Sequence, residues 1–161
     1  MKKILIMILV MCCVLSFATG CFDGGGTGSS GTKNAKETEF HDLVAETQGY
    51  LDEYADDIYS CWYDYIYEDE YSSIEGAILA AMLMNTDNTD KIESNNETIK
   101  SLYGELKESE LRTELKAVMQ AYNEYYSLVM EVSGSFNSYS ASKENLKKEL
   151  ATALKNLSFE L

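Results

Sequence analysis

The sequence contains no proline and only one histidine in 161 residues. The first fact limits the possible folds, and the second limits the possible catalytic and metal-binding chemistry. Proline interrupts helices, so its absence favours long uninterrupted ones. The histidine, His41, has no second histidine and no neighbouring cysteine with which to bind zinc. A lone histidine among acidic residues is also a poor base for a nucleophilic triad, and no glycine-rich loop follows a strand pattern. We therefore expect neither an enzyme nor a bound cofactor.

Lysine and arginine are scarce, with 13 of them against 27 aspartates and glutamates. Nucleic-acid binding depends on clustered Lys and Arg, so this balance argues against a nucleic-acid partner. It also opposes adsorption to an anionic membrane surface. The imbalance is greatest between Lys36 and Lys91, where fifteen acidic residues and no lysine or arginine occur.

The N-terminus has the pattern of a signal peptide. Met1-Lys2-Lys3 precede the apolar run Ile4–Leu15, which is too short to span a bilayer because a span takes ~20 residues. Ala18-Thr19-Gly20-Cys21 then resembles the lipobox of bacterial lipoproteins, although leucine is commonest where Ala18 stands. The resemblance implies that residues 1–20 are removed and that Cys21 carries a lipid anchor on the extracytoplasmic face of the cell membrane. The alternatives are an uncleaved anchor and ordinary secretion.

Residues 21–36 are rich in glycine and serine, which predicts a flexible linker between the anchor and a folded domain at 37–161. About 15 such residues span roughly 20 Å. Removal of residues 1–20 also removes Lys2 and Lys3, which leaves 11 basic against 27 acidic side chains and a formal charge of −16. Of the cysteines that remain, Cys61 is expected to be a small buried apolar residue.

Helical periodicity runs through the rest of the chain, and no strand-like alternation interrupts it. The first helix is expected from a capping box at Asn34 and Glu37 to the neighbourhood of Tyr71. Its predicted core stripe, at steps of three, four or seven, consists of Phe40, Val44, Leu51, Ala55, Ile58, Trp62 and Ile66. A second capping box at Ser72 and Glu75 predicts that the chain turns just before it.

The apolar run Ile74–Met84 predicts a helix that is buried on most sides. Helical spacing resumes after the polar segment 85–90, so that 74–106 is one broken rod. Two further rods follow, separated by Ser133-Gly134-Ser135. Because short connections place neighbouring helices antiparallel, the sequence predicts an all-α, up-down bundle of about four helices.

From Trp62 onward the layout resembles small uncharacterised helical lipoproteins of Gram-positive bacteria. The residues that carry this resemblance are Trp62, Ile66, Tyr122-Asn123-Glu124-Tyr125-Tyr126, Ser133-Gly134-Ser135-Phe136 and Ser138-Tyr139. The resemblance implies a helical fold and an extracytoplasmic address, and no activity.

Two sets of side chains on the first helix are candidate sites. Asp52, Glu53, Asp56 and Asp57 are spaced to share one face, where they form either a solvated acidic surface or a weak candidate calcium site. Tyr59, Tyr63, Tyr67 and Tyr71 recur every four residues and form either the margin of the core or a partner-binding row.

These patterns leave three hypotheses. The first is a non-enzymatic surface lipoprotein that presents an acidic, tyrosine-bearing face to a basic protein or peptide. The second is a carrier of a small ligand or divalent cation, which requires an enclosed polar pocket. The third is a purely structural envelope protein, in which the core buries all the tyrosines.

Overall fold

The computed structural model describes residues 34–161, and every regular element among them is a helix. In chain order these are α1 (Ala35–Tyr67), α2 (Ile74–Met84), α3 (Thr86–Glu105), a 3-10 turn (Leu106–Glu108), α4 (Arg112–Met130) and α5 (Phe136–Ser158). The predicted signal peptide, the lipid anchor on Cys21 and nearly all of the linker lie outside the described residues.

Helices α2 and α3 form one bent rod, as the spacing predicted. Only Asn85 separates them, and its backbone N–H still donates to the carbonyl oxygens of Ala81 and Met82, both at 3.2 Å. The carbonyl oxygen of Asn85 in turn accepts from Thr89 N at 2.8 Å, so the next turn begins at once. The bend is therefore confined to one residue.

The four rods run up and down, which confirms the predicted bundle. The rod of α2 and α3 is antiparallel to α1. Along their side-chain contacts, the residue number rises on one helix as it falls on the other. These contacts are Lys36–Glu105 at 2.6 Å, Asn95–Thr47 at 3.1 Å, Asn88–Glu53 at 2.9 Å and Asn85–Asp57 at 2.7 Å. Helix α5 is also antiparallel to α1, since Lys143 meets Asp56 and Lys147 meets Asp52.

The core stripe of α1 is confirmed except at its end. Its first five members are fully buried, and Trp62 is 3% exposed. Ile66 is 41% exposed, so its assignment to the core was wrong. It lies in the last turn of α1, where the covering by neighbouring helices ends.

The prediction that α2 is buried on most sides was also wrong. Only its small residues Ala77 and Ala81 are buried, and these let α2 lie close against α1. Four of its larger side chains are exposed: Leu79 54%, Met82 49%, Leu83 67% and Met84 61%, whereas Ile74 is half-buried against the core. A continuous apolar run carries no periodicity that could show which side is covered.

Two helix starts differ from the predicted capping boxes. Asn34 makes no side-chain cap on α1; its amide donates to the carbonyl oxygen of Leu161 at 3.2 Å. Glu37 instead accepts from Ser109 Oγ at 2.7 Å. Helix α2 is capped by Ser73 rather than Ser72, through a bond from Gly76 N at 3.1 Å.

Candidate functional site

Three of the four row tyrosines form a ladder on successive turns of α1. The ring centroids of Tyr59 and Tyr63 are 6.4 Å apart, and those of Tyr63 and Tyr67 are 4.6 Å apart. Tyr59 is half-buried, whereas Tyr63 is 39% and Tyr67 is 59% exposed. The row is therefore neither fully buried nor fully exposed, and its end at Tyr67 is open to solvent.

Phe136, the first residue of α5, completes this ladder. Its ring centroid lies 5.0 Å from that of Tyr59, 6.3 Å from that of Tyr63 and 6.4 Å from that of Tyr67. We call these four rings, Tyr59, Tyr63, Tyr67 and Phe136, the aromatic ladder. Sequence reasoning missed Phe136 as a site residue because no local pattern connects the start of the last helix to the end of the first.

A capped turn sets the position of Phe136. The side chain of Ser135 accepts from Ser138 N at 3.2 Å, and Ser138 Oγ accepts from Ser135 N at 3.0 Å, which is a reciprocal capping box. Gly134 just before it has φ +88°, and a Cβ there would lie 2.9 Å from Ser138 Oγ. The turn that begins α5 therefore has a defined conformation, and position 134 has no room for a side chain.

Buried aromatic residues support the ladder from beneath. The ring centroid of Trp62 lies 6.0 Å from that of Phe136 and 5.7 Å from that of Tyr139. The Tyr139 hydroxyl donates to the carbonyl oxygen of Ala55 at 3.3 Å, which fixes its polar end within the core. Trp62 is thus a core residue, as the sequence predicted.

Tyr71 does not belong to the ladder. Helix α1 ends at Tyr67, so the four-residue spacing no longer places Tyr71 on the same helical face. Its hydroxyl donates instead to Cys61 Sγ at 3.5 Å, and this hydrogen bond, with the nearby thiol, raises the pKa of Tyr71 to about 12. The prediction of a continuous row of four tyrosines was wrong at this position.

Acidic residues adjoin the exposed end of the ladder in the sequence. Asp64 lies between Tyr63 and Tyr67 in the sequence, and Glu68, Asp69 and Glu70 follow α1 directly. Within residues 34–161, none of these four carboxylates forms an ion pair. The sequence next to Tyr63 and Tyr67 is therefore acidic, and no ion pair within residues 34–161 neutralises these four carboxylates.

The four carboxylates predicted to share one face divide between two neighbours of α1. Asp52 accepts from Tyr125 Oη at 2.7 Å and lies 3.1 Å from Lys147 Nζ, and Asp56 lies 2.6 Å from Lys143 Nζ. Glu53 and Asp57 accept from Asn88 and Asn85 on the opposite rod. The four carboxylates therefore do not form one face turned away from the bundle, because each takes part in a helix–helix contact, although Glu53 and Asp56 remain exposed.

Lys143 is the most enclosed cation of this region. It is 7% exposed, and its Nζ lies 4.8 Å from the ring centroid of Tyr59. Burial acts to lower the pKa of Lys143, but the hydrogen bonds and charges of Asp56 and Glu144 outweigh it, so the pKa lies above its ordinary value. Lys143 therefore stays charged at neutral pH and links α5 to α1 beside the ladder.

Neither a metal cluster nor an enclosed groove is found at the places in residues 34–161 where such a site would be expected. Residues 34–161 contain no group of three or more His, Cys, Asp or Glu side chains arranged to hold a metal ion. Three concavities, between α4 and α5, between α3 and α4, and beside the start of α1, are open grooves rather than closed cavities.

Comparisons with protein-family models, with curated proteins and with solved structures found no match to this chain. None of the helices within residues 34–161 combines the length and the apolar character needed to cross a membrane.

Proposed function

We propose that this chain is a lipid-anchored, non-enzymatic interaction module on the extracytoplasmic face of the cell membrane. Its aromatic ladder and the carboxylates beside it bind a basic segment of another protein or a basic peptide. The single observation that carries this proposal is that Tyr63 and Tyr67 are exposed although Phe136 already holds their rings in place.

The rigidity of the ladder is the first support. Tyrosine presents a large apolar ring with a polar tip and loses little conformational freedom on binding, so it is common in binding surfaces. Because Phe136 contacts all three tyrosines and Trp62 packs against Phe136, the rings of the ladder are already ordered before any partner arrives. Binding to an ordered surface avoids part of the entropy loss that mobile side chains would suffer.

The charge around the ladder is the second support and indicates the partner's chemistry. Lys or Arg side chains can lie over tyrosine rings and simultaneously approach carboxylates. The fold itself does this within the bundle, where Lys143 lies over Tyr59 and contacts Asp56. A basic segment would repeat that arrangement at the exposed end, over Tyr63 and Tyr67 with Asp64 and Glu68.

The anchor is a separate part of the proposal and has its own test. Cells grown with a labelled fatty acid should label the wild-type protein, and Cys21→Ala should lose the label. Cys61→Ala is the matched control, because Cys61 is buried in the bundle and should have no part in acylation. Equal labelling of wild type and Cys21→Ala would contradict lipidation at Cys21.

The binding surface is tested with a fluorescent, flexible peptide of alternating arginine and glycine, added to the soluble domain 32–161. Tyr63→Ser with Tyr67→Ser should weaken its binding by roughly tenfold, the effect of losing about 1.4 kcal/mol of contact energy. Phe159→Ser is the control, since Phe159 is 72% exposed at the far end of α5. If both variants bind as the wild type does, the ladder is not the binding surface.

A photo-crosslinking residue at position 67 extends this test to intact cells. A protein with a basic segment should be captured from position 67 and not from position 159. Capture of the same proteins from both positions would mean that contact is non-specific, and would contradict the proposal.

A further inference from the structure

A second exposed surface, separate from the aromatic ladder, lies on the outer side of α2. Leu79, Met82 and Leu83 are spaced i, i+3 and i+4 and therefore share one helical face. They are 54%, 49% and 67% exposed, and Met84 beside them is 61% exposed. We call these four side chains the α2 strip.

The packing of the bundle does not require the α2 strip to be apolar. Helix α2 is held by its opposite side, where Ala77 and Ala81 are fully buried, and by contacts with α1. Polar residues on the outer side would leave that packing intact and would keep the surface more soluble. Single exposed apolar residues are common, but adjacent large ones on one helix indicate an interaction surface.

The charges around the strip indicate what covers it. Helix α2 contains one charged residue, Glu75, which lies one turn before Leu79 on the same face. Glu68, Asp69 and Glu70 precede the helix, and Asp87 and Asp90 follow its bend. No lysine or arginine occurs anywhere from residue 37 to residue 90. The strip is thus an apolar surface with acidic residues at both ends.

We propose that the α2 strip binds the apolar face of a basic amphipathic helix supplied by another protein. Leucine and methionine side chains accept an apolar helix face readily, and methionine adapts to different shapes. Lysine or arginine residues flanking that face would lie close to Glu75 at one end and to Asp87 and Asp90 at the other. This inference extends the proposed function and depends on one part of it, namely that the chain is a binding module.

The same charges disfavour the two other occupants that an apolar surface could have. A second copy of this chain would bring its own acidic ends against those of the first, because a two-fold interface repeats the same residues on both sides. An anionic membrane surface would repel the carboxylates around the strip. Of these three occupants, the cationic amphipathic partner matches both the apolar centre and the acidic ends.

The test uses the soluble domain 32–161 and a labelled leucine–lysine peptide of five helical turns (about 18 residues), with leucines spaced to form one face. The matched peptide has the same composition in an order that forms no apolar face. The domain should bind the amphipathic peptide at least roughly tenfold more tightly than the reordered one. Leu79→Ser with Leu83→Ser should abolish this preference, whereas Phe159→Ser should retain it.

Two further variants separate the parts of the interaction. Glu75→Lys should weaken binding of the amphipathic peptide, and Glu160→Lys, which makes the same charge change at an exposed site elsewhere, should weaken it less. The residues changed, Leu79, Leu83, Phe159, Glu75 and Glu160, are all exposed, so circular dichroism should confirm an intact fold in each variant. The Tyr63→Ser, Tyr67→Ser variant should bind the amphipathic peptide as the wild type does.

Three results would overturn the proposal for the α2 strip. Equal binding of both peptides would mean that charge alone is recognised. Dimerisation that the strip variant abolishes, without peptide binding, would assign the strip to a second copy. Binding to zwitterionic lipid vesicles without peptide preference would assign it to a membrane. The two proposals can be contradicted separately. If the ladder variant binds the arginine–glycine peptide as the wild type does, while the amphipathic peptide still binds at the α2 strip, the ladder proposal alone is contradicted.

Discussion

Lys143 connects two helices through a charge that is almost completely enclosed. Its Nζ lies 2.6 Å from Asp56 Oδ1 and 3.4 Å from Glu144 Oε1, while the ring of Tyr59 covers another side. The lysine side chain is 9% exposed and that of Asp56 is 59% exposed, so the two partners are desolvated unequally. Losing the carboxylate and losing the lysine should therefore have different effects.

Asp56→Ala should lower the free energy of unfolding by about 1–3 kcal/mol, because it leaves an enclosed ammonium without its closest partner. Lys143→Met should lower it by less than about 1 kcal/mol, because it removes the enclosed charge and leaves an exposed carboxylate in water. Urea unfolding of both variants measures the difference. A larger loss in Lys143→Met than in Asp56→Ala would contradict this account of the pair.

The buried tyrosines make the fold sensitive to alkaline pH. Burial raises the pKa of Tyr122, Tyr125 and Tyr139 above the ordinary value, and for Tyr125 the hydrogen bond to Asp52 adds to the effect. A raised tyrosine pKa means that the native state holds protons that the unfolded chain releases from about pH 10 upward. The stability is fully present below that pH and falls as the pH rises above it. Lys143, whose pKa is also raised, acts in the same direction.

The free energy of unfolding should therefore fall steeply above about pH 10. Tyr139→Phe should make this fall less steep. The free energy lost per pH unit should decrease by at most about 1.4 kcal/mol, the contribution of one ionising group. Tyr67→Phe is the matched control, because it removes the same hydroxyl group from a side chain that is 59% exposed rather than buried. A stability that does not change between pH 9 and about pH 11.5 would contradict the argument.

The side of α2 that faces solvent carries larger apolar side chains than the side that faces α1. Ala77 and Ala81 face α1 because small residues allow close approach, and the larger Leu79 and Leu83 face solvent. Hydrophobicity by itself would assign the leucines to the core. The space between the two helices decides otherwise, since close packing leaves no room for them there.

Substitutions in α2 should thus have effects opposite to those that hydrophobicity suggests. Ala81→Leu should lower the free energy of unfolding by about 1–3 kcal/mol, because the added atoms overpack the contact with α1. Leu83→Ala should change it by no more than about 0.5 kcal/mol, since the side chain is already exposed. Thermal and urea unfolding of both variants give the comparison. A large loss in Leu83→Ala would mean that α2 is covered on its outer side within the monomer.

The charge of the whole protein is strongly one-sided. After removal of residues 1–20, the formal charge would be −16, and the long acidic segment includes most of α1 and all of α2. Within residues 34–161, lysines lie beside Asp52, Asp56, Glu105 and Glu144. The compact state therefore holds like charges closer together than the unfolded chain does.

Monovalent salt should consequently raise the melting temperature of the soluble domain. Screening shortens the range of repulsion from ~10 Å at 0.1 M to ~3 Å at 1 M ionic strength. It also weakens the exposed Lys36–Glu105 pair, but exposed pairs contribute little. Calorimetry from 0.05 M to about 1 M sodium chloride measures the shift. A melting temperature that falls throughout this range would mean that ion pairs outweigh the repulsion.

The helices, their order and most of their boundaries followed from the sequence, because periodicity, turn residues and the absence of proline are local properties. The same local properties placed Trp62 in the core and put a break between Ser133 and Ser135. Three features depended on tertiary structure: Phe136 joins the tyrosines, the acidic quartet of α1 divides between two neighbours, and α2 turns its small side toward α1. Each depends on contacts between residues distant in sequence, and such contacts are set by how closely two helices can approach.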